Sequence, residues 1–212
     1  MQNFDFYNPT RIVFGKDRLQ ELDQLIPKNS RVLVLYGGGS VKRFGTLDKV
    51  LAGLGNRTVF EFAGIEPNPR YETLMEAVDL VRRESVDFLL AVGGGSVMDG
   101  TKFVAAAAPF EGDEESLLEH GFAGLPVEQA LPLGTVATLP ATGSEMNMGA
   151  VVSHKGGKWP VMSPLLYPTF SFLDPSLTFS LPTRQVANGV VDAFVHVVEQ
   201  YVTYPVNAQI QD

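Results

Sequence analysis

The chain has 212 residues, 45% of them hydrophobic and 19% charged, the proportions of a protein that folds around one substantial core or two small ones. Sixteen basic against twenty-four acidic residues give a net charge of −8 with no basic run longer than two residues, which argues against nucleic acid and anionic membrane and for a small-molecule partner. The absence of cysteine excludes disulfides and thiolate metal sites, and neither a leader-like start nor a membrane-length apolar run is present, so a cytoplasmic location is expected.

Taken in order, Phe4 to Phe14 alternates aromatic and polar residues and reads as an extended segment or hairpin, followed by helical spacing at Leu19, Leu22 and Ile26. Arg31 to Tyr36 is an apolar strand that runs into Gly37-Gly38-Gly39-Ser40, with a helix expected over Thr46 to Leu54. Arg57 to Phe62 is the next strand. Asn68 as N-cap with Pro69 at the first helical position is expected to start a helix with Tyr71, Leu74, Val78 and Val81 on one face. Asp87 to Val92 is a strand buried on both faces, and it too ends in three glycines and a serine, Gly93-Gly94-Gly95-Ser96, before a helix over Val97 to Ala108.

The alternation of strand and helix predicts a parallel α/β sheet with right-handed crossovers. Each glycine turn has two readings: a plain closure of a βα unit, or a cradle in which backbone amides at a helix start approach a phosphate. That the device occurs twice favours the cradle, because two glycine-lined strand ends in one sheet suit a dinucleotide. Met98 stands where the usual fingerprint has its third glycine.

Glu111 to Gln129 is acidic and rich in glycine and reads as a surface excursion that includes a solvated His120. Thr135 to Pro140 is a strand, and Thr142 and Ser144 after it can bond a ribose or an amide or can simply form a turn. Val151 to Trp159 reads as a hairpin with a glycine turn and an exposed His154, and Thr169 to Leu173 is a further strand. The last helix begins near Ser180 and Pro182 and is apolar nearly all round, so it needs burial, yet no later element of these 212 residues is expected to cover its apolar flanks. One polar stripe, Gln185, Asn188, Asp192, His196 and Glu199, runs along it. Asp192 and His196, one turn apart, can share Zn²⁺ or Fe²⁺ or can be an ordinary carboxylate–histidine pair.

In these motifs, Gly93 to Asp99, Leu139 to Glu145 and Asp192 to His196, the chain resembles the iron-containing (group III) alcohol dehydrogenases. Gly37 to Lys42, Gly64 to Pro69 and Val186 to Asp192 resemble more closely the NADPH-dependent butanol dehydrogenase and aldehyde reductase branch. The resemblance implies a Rossmann-like dinucleotide-binding domain over residues 1–179, and over 180–212 the first helix of an all-helical metal-binding domain that the chain does not complete. It implies NADP(H) bound by Gly37, Gly38, Gly39, Ser40, Gly93, Gly94, Gly95, Ser96, Asp99, Thr138, Thr142, Ser144 and Lys158. It also implies a divalent metal, iron or zinc, held by one aspartate and three histidines. Asp192 and His196 match the first two of these ligands and would be the catalytic centre; the other two are expected beyond residue 212. The expected activity is interconversion of primary alcohols and aldehydes, with the 212 residues alone inactive, as a homo-oligomer or in association with a C-terminal part. The rival readings are an NAD-linked diol or glycerol dehydrogenase of the same family and a non-catalytic nucleotide-binding fragment. Gly39, where NAD-linked relatives commonly have a carboxylate, with Lys42 and Arg43 close by, predicts NADPH over NADH.

Overall fold

The computed structural model describes residues 5–118 and 127–203. Its elements in chain order are β1 (Arg11–Phe14), α1 (Leu22–Leu25), β2 (Arg31–Tyr36), α2 (Ser40–Arg43), α3 (Thr46–Leu54) and β3 (Thr58–Ala63). They continue with α4 (Tyr71–Glu84), β4 (Phe88–Gly93), α5 (Gly95–Ala107), β5 (Leu133–Ala137), β6 (Gly149–His154), β7 (Gly157–Met162), β8 (Phe170–Leu173) and α6 (Thr183–Thr203).

Six strands form one sheet in the order β3-β2-β4-β5-β8-β1, and every pair in it is parallel. The Phe4 to Phe14 segment is therefore extended, as one of its two readings had it, but pairs with β8 at the far edge and forms no hairpin. Alternate residues of β2 serve opposite cores: Leu33 and Leu35 pack with α4 and α5, while Val32, Val34 and Tyr36 pack with α1 and α3. All six residues of β4 are buried, which is why its sequence shows an apolar run and no alternation.

From β2 the chain steps outward to β3, returns across β2 to β4, and then moves the other way to β5 and β8. The switch point lies between β2 and β4, where connections leave neighbouring strand ends in opposite directions and open a crevice. Both triple-glycine turns are at that crevice.

Three local expectations are corrected. Leu19, Leu22 and Ile26 are all buried, but only a short 3-10 turn and the four residues of α1 are helical. Asp17 is in a left-handed conformation and donates its amide to Asp174, which holds the entry to this segment out of helical geometry. Helix α4 starts at Tyr71 with Arg70 as N-cap, because Arg70 is extended and bridges to Ser153 of β6; Asn68 has φ 59° instead of capping. The Glu111 to Gln129 excursion is not purely superficial, since Leu117 and Leu118 are buried; His120 lies outside the described residues. The apolar flanks of α6 are uncovered, as expected: it has no buried residue among those described, and Val190, Phe194 and Val197 are 65%, 66% and 67% exposed. Among the described residues no helix is long and apolar enough to cross a membrane.

Candidate functional site

The crevice at the switch point is a groove of about 600 Å³. Gly37, Gly38 and Ser40 of the first turn line one wall, Gly93 to Ser96 of the second turn form its floor, and Thr138 and Thr142 after β5 line the other wall. It continues past Gly95, Ser96 and Thr142 into a second cavity of about 670 Å³ that reaches Asp99, Ser144, Asn147 and Lys158. Both volumes fall in the range of small-molecule and cofactor sites. Of the residues assigned to a cofactor by the sequence, only Gly39 lines neither cavity. It has φ 92° and caps α2, so it shapes the first turn.

Helix α5 begins at the floor of the groove. The first amides of a helix have no acceptor within it and carry the positive end of the helix dipole, so those of Gly95 and Ser96 are suited to an anion. A side chain on Gly95 would meet Thr142 at 2.7 Å, so glycine there lets the loop after β5 close onto the start of α5. One on Gly94 would meet Leu139 at 3.1 Å.

A polar network supports this loop from below. Ser144 donates to Asp99 Oδ1 at 2.6 Å, and the Val151 amide donates to Asp99 Oδ2 at 3.0 Å. The ammonium of Lys102, which has no exposed surface, donates to Ser144 (3.1 Å), Asn147 (2.7 Å) and the Gly149 carbonyl (2.9 Å). Burial raises the carboxyl of Asp99, against the bond from Ser144 and the charge of Lys102. Burial likewise pulls Lys102 down to about 8, against the charges of Asp99 and Glu145. Sequence reading missed Lys102. The signal was a lone lysine in an otherwise small and apolar helix, three residues after Asp99.

His154 is corrected from exposed to partly buried: its side chain is 9% exposed and packs on the Tyr71 ring at 4.5 Å. Each ring nitrogen is 3.4 Å from a carboxylate, Glu72 on one side and Glu115 on the other. The hairpin it belongs to, β6 with β7, is as the sequence predicted.

On α6, Asp192 Oδ1 and His196 Nε2 are 3.6 Å apart and both side chains are half exposed. Two ligands about 2.1 Å from a tetrahedral ion are roughly 3.4 Å apart, so the pair fits a shared metal. Among the described residues no third histidine, aspartate or glutamate joins it. The same helix face carries Gln185, which lines the groove, and Gly189, where a methyl would meet the Pro140 carbonyl at 3.4 Å. Asp192 and His196 thus belong to the face that α6 turns toward the loop after β5.

Residues 9–175 match the family described as iron-containing alcohol dehydrogenase. The NADPH-dependent aldehyde reductase YqhD of Escherichia coli K12 is 59% identical over 216 residues, an alignment that covers 100% of this chain and 55% of that protein. The probable NADH-dependent butanol dehydrogenase 1 of Bacillus subtilis is 45% identical, with 100% and 55% covered. The crystal structure of E. coli K-12 YqhD superposes with a TM-score of 0.93 at 58% identity, covering 98% of this chain and 54% of that one. The chain therefore spans about half the length of these relatives. By its sequence over most of its length and by its fold, the chain belongs to the iron-containing alcohol dehydrogenase family.

Proposed function

We propose that these 212 residues are the cofactor-binding part of a metal-dependent oxidoreductase that interconverts primary alcohols and aldehydes with NADP(H). The observation that carries this reading is the meeting of the two triple-glycine turns at the switch point, with the start of α5 as floor. The amides of Gly95 and Ser96 hold the pyrophosphate, the first turn holds the adenosine end, and the second cavity, with Asp99 and Lys158 on its walls, receives the nicotinamide end. Gly39 leaves the first turn without a carboxylate that would repel a 2′-phosphate. Residues 1–179 form this domain, and 180–212 open the metal-binding one.

Asp192 and His196 are two of the metal ligands, with water or ligands from the other half of the fold completing the set. When bound, the ion supplies Lewis acidity at the carbonyl oxygen and the nicotinamide supplies the hydride. The chain's own contribution is to orient the dinucleotide and to place two donors on one helix face. The exposed apolar side of α6 is covered by that other half, and in its absence by a second copy of the chain.

Metal analysis combined with an NADPH oxidation assay on an aldehyde tests the reading. The 212 residues alone bind iron or zinc substoichiometrically and show no turnover, because two protein ligands are too few for a tight site. Adding a C-terminal helical segment of a relative, in cis or in trans, restores both, and His196→Ala abolishes both again. Stoichiometric metal and reductase activity from the 212 residues alone would contradict it.

A further inference from the structure

We infer that Arg43 reads the 2′-phosphate of the cofactor and that Glu61 withholds Lys42 from that task; the inference rests on the NADP(H) reading above. Among the described residues lining the groove, Arg43 is the one charged side chain; the rest are glycines, hydroxyls, apolar groups and an amide. Its guanidinium has no ion pair and no side-chain hydrogen bond among the described residues. An uncompensated cation in a glycine-lined wall has no structural partner to serve, and a guanidinium fork matches a phosphate with two parallel hydrogen bonds.

Lys42, its neighbour in sequence, does not line the groove. Its ammonium is 3.2 Å from Glu61 Oε2 and lies 5.2 Å above the Tyr36 ring. Tyr36 donates its hydroxyl to the same Glu61 oxygen at 2.7 Å. That bond is the main cause holding the Glu61 carboxyl below its ordinary range, with Lys42 adding to it. Glu61 is on β3, about twenty residues beyond the glycine turn, the place from which an acid in dinucleotide-binding folds takes the ribose 2′-hydroxyl. A free carboxylate there would repel a 2′-phosphate. Lys42 neutralises it and is itself neutralised, which leaves Arg43 as the net charge on the adenosine side of the groove.

Isothermal titration of the 212-residue chain with NADPH, NADH and adenosine 2′,5′-bisphosphate tests this. The parent binds NADPH more tightly than NADH. Arg43→Gln loses about ten- to a hundredfold in affinity for NADPH and for the bisphosphate, the usual worth of a charge-assisted hydrogen bond, while NADH affinity stays within twofold. Arg43→Lys recovers part of the loss, since an ammonium keeps the charge without the fork. Lys42→Gln leaves the Glu61 carboxylate unneutralised and weakens NADPH binding severalfold, the Lys42→Gln, Glu61→Gln double variant returns to the parent preference, and Glu61→Gln alone, by releasing Lys42, strengthens NADPH binding severalfold. A parent that prefers NADPH combined with an Arg43→Gln variant that keeps this preference, or loses both dinucleotides equally, overturns the role of Arg43 alone. A selective loss of NADPH affinity that persists in the Lys42→Gln, Glu61→Gln double variant overturns it too. A parent that binds neither dinucleotide, or both equally, overturns the cofactor reading and this inference together.

Discussion

Lys102 is the residue on which the loop between the two cavities depends. A lysine with no exposed surface is retained only where its ammonium is fully engaged, and here three acceptors and the nearby Asp99 carboxylate engage it. Lys102→Met keeps the volume but leaves Ser144, Asn147 and the Gly149 carbonyl short of a donor. It should lower unfolding stability by about 3 kcal/mol, measured by urea titration at pH 7. The pH dependence has a definite sign. Burial holds Lys102 at about 8 in the folded chain, below the 10.5 of a free lysine, so above pH 8 the unfolded chain binds more protons. The parent should therefore gain stability relative to Lys102→Met as the pH rises from 8 toward 10. A difference that stays flat or shrinks over that interval would show that the ammonium keeps its ordinary affinity for protons.

At the level of elements, the segments legible in the sequence were those set by local chemistry. Strand β2 spans the predicted Arg31 to Tyr36 and α3 the predicted Thr46 to Leu54, because an apolar run closed by glycines and a short amphipathic stretch leave few alternatives. What was not legible depends on partners distant in sequence. Asn68 and Pro69 make a sound helix start in isolation, yet the backbone of Pro69 and Arg70 is taken by Ser153 of the hairpin. His154 beside a glycine turn looks exposed until Tyr71 and the 111–118 segment fold over it. Helix α6 has the composition of a buried helix, and its Val190, Phe194 and Val197 flank is exposed, as its lack of a later covering element led one to expect. An exposed stripe of valine and phenylalanine on a 21-residue helix predicts self-association of the isolated chain. Size-exclusion chromatography should show a concentration-dependent dimer or larger species, and a Val190→Glu, Phe194→Glu, Val197→Glu triple variant should be monomeric. A parent chain that stays monomeric at high concentration would argue that this face needs no cover.

For the molecule as a whole, the sheet order does what no single motif could. Either glycine turn alone is compatible with a plain βα closure. The topology sets both at one switch point, with α5 between them and the face of α6 that carries Asp192 and His196 beyond. The twelve cavity-lining residues that the sequence assigned to a cofactor fall into two adjoining cavities along this line, from Gly37 at one end to Lys158 at the other. Asp192 and His196 have no third acidic or histidine partner among the described residues, and the chain covers 55% of the E. coli aldehyde reductase it matches. The central claim is that backbone amides reach a dinucleotide because Gly94 and Gly95 have no side chains, and it is tested most directly by calorimetric titration of NADPH into the parent chain and into Gly94→Val. The account predicts saturable binding by the parent and at least a tenfold loss in a Gly94→Val chain whose circular dichroism shows it folded, with Gly94→Ala as a milder second variant if it does not fold. Parent-like NADPH affinity in the folded variant, or no binding by the parent, would contradict it.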